Sequence, residues 1–84
     1  PQVQILAGGS RGTAVVEIRA HDAPGLLHRV ASAIAHGGGA IEGAKVSTLG
    51  SDAVDVFFVT ASDGSELSPK GATRLRTAIL AALA

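Results

Sequence analysis

The chain has 84 residues, and its seven basic and seven acidic side chains cancel. That length suits one small domain, and without a basic field to gather phosphates generic nucleic-acid binding is excluded. Cysteine is absent, so neither a disulfide framework nor a thiolate metal site is possible. Hydrophobic residues make up 46% of the chain but only two are aromatic, Phe57 and Phe58. A core of small aliphatics in so short a chain is expected to lean on association or on neighbouring domains. No apolar run approaches the roughly 20 residues that span a bilayer, and nothing reads as a signal peptide. A soluble, cytoplasmic domain without membrane contact is expected, and the opening at Pro1 without methionine suggests a piece of a longer chain.

Residues 2–6 (Gln-Val-Gln-Ile-Leu) read as a short strand, and the Gly-rich stretch 7–12 as a hairpin-like connection. Residues 13–21 alternate, with Ala14, Val16, Ile18 and Ala20 on one face and Thr13, Glu17, Arg19 and His21 on the other, the period of a half-buried strand. At Asp22-Ala23-Pro24-Gly25 the period changes, and Pro24 suits a first helical position because its missing N–H has no partner there anyway. Leu26, Leu27, Val30, Ala31 and Ile34 then recur at helical spacing as an apolar stripe, and Gly37-Gly38-Gly39 reads as the stop.

Residues 40–49 read as a strand whose alternation slips near Gly43, where a bulge puts Ile41, Ala44 and Val46 on a common side. Gly50-Ser51 is a tight turn, and residues 52–61 form a strand apolar on both faces through Val54, Val56, Phe57, Phe58 and Val59, hence central in its sheet. After the polar loop 62–65, Ser68-Pro69 supplies an N-cap followed by Pro at the first helical position. Ala72, Leu75, Ile79, Leu80 and Leu83 form the second stripe, with Lys70, Arg74 and Arg76 on the wet side. The order strand, strand, helix, strand, strand, helix predicts a two-layer α+β sandwich, a four-stranded antiparallel sheet with two helices on one face, in a single domain spanning residues 1–84.

Residues 16–27, Val-Glu-Ile-Arg-Ala-His-Asp-Ala-Pro-Gly-Leu-Leu, resemble the opening of ACT domains, where a strand ends in Asp, any residue, Pro, Gly, Leu. Residues 44–50 (Ala-Lys-Val-Ser-Thr-Leu-Gly) and 55–60 (Asp-Val-Phe-Phe-Val-Thr) resemble the following hairpin in one branch, the C-terminal ACT repeat of bifunctional nucleotidyltransferases that modify the nitrogen-signalling protein PII. The resemblance implies a ferredoxin-like fold, glutamine as regulatory effector, and PII as a partner reached through the parent enzyme. It also implies a homodimer or contact with a sister ACT repeat. ACT domains usually end on a fourth strand that is missing here. The strand at 2–6 can replace it by pairing antiparallel with residues 13–20, which gives a permuted ββαββα order.

The candidate ligand site follows from both lines. A helix N-terminus with unpaired amides can receive a carboxylate, and Gly25 permits close backbone approach, so Asp22, Ala23, Pro24, Gly25, Leu26 and Leu27 are candidate binding residues, with Asp22 toward the ligand's ammonium. The same segment also reads as a capped turn that binds nothing. In an ACT-type pair the backbone of Ala40, Ile41 and Glu42 is expected to close the pocket from the partner. A purely structural ACT repeat, which dimerises without a metabolite, is the alternative.

Other groupings favour bland roles. His21-Asp22 is one element of metal phosphohydrolase sites, but His28 and His36 follow without supporting carboxylates, so no metal is expected. Gly8-Gly9 and Gly37-Gly38-Gly39 lack the Gly-Lys-Ser/Thr ending of a phosphate loop. The serines sit in no nucleophile-elbow pattern, and neither catalytic residues nor a cofactor are expected. Phe57 and Phe58 lack the basic and glycine residues of an RNA-recognition motif and point to opposite faces.

Overall fold

The computed structural model describes residues 1–6 and 12–84. Four strands, β1 (Gln2–Leu6), β2 (Ala14–His21), β3 (Gly39–Leu49) and β4 (Asp52–Ala61), and two helices, α1 (Leu26–His36) and α2 (Pro69–Leu83), follow one another as ββαββα. The strands form one antiparallel sheet in the order β1-β2-β4-β3, the ferredoxin-like α+β arrangement. β1 does pair with β2, from Gln2 opposite Arg19 to Leu6 opposite Val15, and occupies the place of a last strand. The expected connection at residues 7–11 lies outside the described residues.

Alternation in β2 places Ala14, Val16, Ile18 and Ala20 in the core, where they meet Ala53, Phe57 and Val59 of β4 and the buried faces of both helices. β4 is central, as its two-sided apolar pattern requires. Phe57 is buried among the core residues, whereas Phe58 lies half-buried on the opposite face beside Val15. The bulge falls between Ile41 and Gly43 and leaves Glu42 as the extra residue. Ile41, Ala44 and Val46 thereby stand opposite Val59, Phe57 and Asp55, on the helix side of the sheet. At this outer edge the helices do not cover them: Ile41 is 40% and Val46 55% exposed.

Two local readings are corrected. The helix starts two residues after Pro24, because Ala23-Pro24-Gly25-Leu26 forms a β-turn in which the Leu26 N–H donates to the Ala23 carbonyl at 3.1 Å. Gly25 takes φ 77° and ψ 3°, the third position of a type II turn, which a side chain would strain. Gly25 is thus the N-cap and no side chain caps this end, so Asp22 is not a cap. The stripe also rotates: Leu26, Val30, Ala33 and Ile34 are buried, at i, i+4, i+7 and i+8, while Leu27 turns outward.

The glycine run ends α1 at its first member and begins β3 at its third. A Cβ on Gly39 would lie 2.9 Å from Ile34 Cγ2 and 2.9 Å from Val59 Cγ1. This residue is a contact point between helix and sheet as well as part of the stop. α2 begins as expected: Ser68 Oγ accepts the Gly71 N–H at 3.0 Å, with Pro69 at the first turn. Leu75 and Ile79 are fully buried, and the Arg76 Nε–H donates to the Val3 carbonyl at 3.2 Å, which ties α2 to β1.

Candidate functional site

Antiparallel order brings three chain segments to one end of the sheet: the close of β2, the start of α1, and the β3–β4 turn. The Asp22 N–H donates to the Ser51 carbonyl at 2.9 Å, which anchors the loop 22–25 to that turn. Between them lies a cavity of about 180 Å³. Its helix side is formed by Asp22, Ala23, Gly25, Leu26 and Leu27, and His28 completes that wall. Its sheet side is formed by Val46 and Thr48 of β3 and Ala53 and Asp55 of β4.

The sequence-predicted residues 22–27 therefore converge on one pocket, except that Pro24 shapes the turn and does not line the cavity. Ala40, Ile41 and Glu42 are not brought there. They pair with Val59 and Thr60, or bulge beside them, at the far end of β3, and Glu42 accepts a hydrogen bond from the buried Thr60 hydroxyl at 3.4 Å. Within one chain the pocket is walled by Val46 and Thr48 instead.

Backbone donors at the mouth are partly committed. Leu26 N–H serves Ala23, and Arg29 N–H bonds the Gly25 carbonyl at 3.0 Å. Neither Leu27 nor His28 bonds the carbonyl four residues back, so these two N–H groups at the positive end of α1 are left without an intrahelical acceptor.

Asp55 is the residue that sequence reasoning missed. It sits on the core face of the central strand, opposite Ile18 and Val46. It is 2% exposed, and its Oδ1 is buried without a hydrogen-bond partner. Burial, and secondarily the negative charge of Asp22, push its carboxyl above the usual carboxylate range. The signal was present in the strand itself, a single acid inside Val-Asp-Val-Phe-Phe-Val, since unpaired carboxylates are almost never placed in a core.

Among the described residues no group of three or more His, Cys, Asp or Glu is placed to hold a metal ion. His21 and Asp52 face each other at 4.0 Å on the exposed end of the sheet, away from any further ligand. No helix of the described residues is long and apolar enough to cross a membrane.

The fold is that of a small α+β domain of the ferredoxin-like class, with a cavity between the start of α1 and the β3–β4 end of the sheet that Asp22 and Asp55 line. In sequence the chain is similar to bifunctional uridylyltransferase/uridylyl-removing enzymes. It is 46% identical over 67 residues to that of Streptomyces coelicolor, which covers 80% of this chain and 8% of the relative. It is 41% identical over 81 residues to that of Pseudomonas putida and 42% identical over 81 residues to that of Stutzerimonas stutzeri, each match covering 95% of this chain and 9% of the relative. The chain thus spans less than a tenth of the length of these relatives. No protein-family profile matches the chain, and no solved structure does.

Proposed function

We propose that this chain is a regulatory, non-catalytic ACT domain that binds glutamine and serves a PII-modifying uridylyltransferase/uridylyl-removing enzyme. The observation that carries the reading is the pocket under the start of α1, in a chain similar to such enzymes nearly end to end. The amides of Leu27 and His28 are available to a carboxylate, and Asp22 stands at the same mouth for an ammonium group. A ligand of this kind acts by population shift, favouring whichever arrangement of the parent enzyme binds it more tightly. The small cavity and the absence of a basic field both argue against nucleic acid as the ligand.

Calorimetry of the chain with each of the twenty amino acids tests the reading. Glutamine is expected to bind, and Asp22→Ala to weaken it by roughly 1–3 kcal/mol with the fold intact, because it is the Asp22 backbone that anchors the loop. Absence of glutamine heat at millimolar concentration refutes the sensor role.

A second reading, a structural repeat that pairs with a copy or a sister domain, is favoured by the outer edge of the sheet. Val46 is 55% and Leu49 66% exposed on β3, an edge strand with an unpaired side. In such a pair the ACT resemblance assigns Ala40, Ile41 and Glu42 to a neighbour's pocket; within their own chain they lie at the far end of β3 from it. Concentration-dependent sedimentation without glutamine binding would favour this reading.

A further inference from the structure

We propose that Asp55 is the receptor for a primary ammonium group, shared with Asp22, at the floor of the pocket beneath α1. The inference deepens the amino-acid reading and rests on it for the rest of the ligand. It begins from a carboxylate that has no partner. Asp55 is 2% exposed, its Oδ1 bonds nothing, and its neighbours on the core face, Ala53, Phe57, Ile18 and Val46, offer no side-chain donor. Leaving such an acceptor unmade is costly, so a native structure that retains it has a use for it.

The cavity indicates what that use is. The titratable groups facing it are Asp22, His28 and Asp55, and neither Lys nor Arg lines it. Asp22 lies close enough that its charge opposes ionisation of Asp55. Two carboxyl groups facing one small cavity repel as anions, and either one keeps its proton or a cation with N–H donors stands between them. A primary ammonium brings three such donors, enough to serve both acids. A quaternary ammonium brings none, and a metal ion finds too few ligands among the described residues. A volume of about 180 Å³ admits a small group and no macromolecule. With the amino group held at Asp55, the amides of Leu27 and His28, which lack an intrahelical acceptor, remain for the carboxylate of the same α-amino acid. The site therefore discriminates a free α-amino group from its acylated or hydroxylated counterpart.

Carbon-13 NMR of the Asp55 carboxyl in the intact chain tests this directly. Methylammonium chloride is expected to shift the Asp55 signal saturably, and tetramethylammonium chloride at equal ionic strength to leave it unmoved. Asp55→Asn is expected to weaken glutamine about 10- to 100-fold, the loss for one charge-assisted hydrogen bond, and N-acetylglutamine to fail on the unaltered chain. An Asp55 signal indifferent to methylammonium overturns the proposal whatever glutamine does. Glutamine binding equally to the unaltered chain and Asp55→Asn overturns it while leaving the amino-acid sensor intact. Methylammonium at Asp55 without any glutamine binding sustains the proposal and removes the sensor reading.

Discussion

Removing the charge of Asp55 should make the domain more stable. In Asp55→Asn the carboxylate that lies 2% exposed, with Oδ1 unpartnered, becomes a neutral amide of nearly the same shape. The carboxyl is held above its ordinary value of 3.8, first by burial and then by Asp22. A raised folded-state pKa means that stability from the protonated group is fully present below the unfolded value and is lost as pH rises through the folded one. As pH rises through the folded-state value the native chain takes on the penalty of an ionised, buried acid. The amide is itself a buried polar group without a partner, so the substitution recovers only the extra cost of the charge, on the order of 1 kcal/mol. For a domain of this size each kcal/mol raises Tm by about 4–8 °C. Paired thermal melts of the two chains from pH 3 to pH 8 measure the difference, and titrations common to both cancel. The gain should be largest at neutral pH and vanish as pH falls below the ordinary carboxyl value. A gain independent of pH, or a loss at pH 7, would refute the assignment of Asp55 as an uncompensated acid.

Gly39→Ala should destabilise by about 1–3 kcal/mol in urea unfolding, because the added methyl meets Ile34 Cγ2 and Val59 Cγ1, both at 2.9 Å. A neutral result would mean that helix and sheet separate freely there. Ser68→Ala should cost about 1 kcal/mol through loss of the bond to Gly71 N–H, read as a lower urea midpoint with an unchanged slope. Leu75→Ala, at a fully buried position between α2 and the sheet, should cost about 2–5 kcal/mol and is checked in the same assay.

Features set by neighbours in sequence were legible before any coordinates. The alternation of residues 14–21, the slip at Gly43 and the Ser68-Pro69 cap each follow from backbone geometry over a few residues, where side-chain period and φ preference decide the outcome. The pairing of β1 with β2 was also within reach, since a short connection between alternating segments leaves few other partners.

What lay beyond the sequence was decided by packing at a distance. Pro24 suits a helix start, but Pro-Gly at the two central positions equally suits the type II turn that bonds Leu26 to Ala23, and it is the docking of α1 on the sheet that leaves Leu27 toward the pocket and not the core. The bulge was foreseeable, but not that Ile41 and Val46 would remain exposed, because coverage depends on where α1 lies across the sheet. Ala40, Ile41 and Glu42 were assigned by resemblance to a partner's pocket, and within the chain only the direction of β3 shows that Val46 and Thr48 line the pocket. For Asp55, alternation identifies a face but not what that face meets. The assembled strands and helix enclose its carboxyl in an apolar setting and open it to one cavity, and a charge acquires its meaning from that enclosure, since the cost of an unpaired carboxylate is set by the water it has lost.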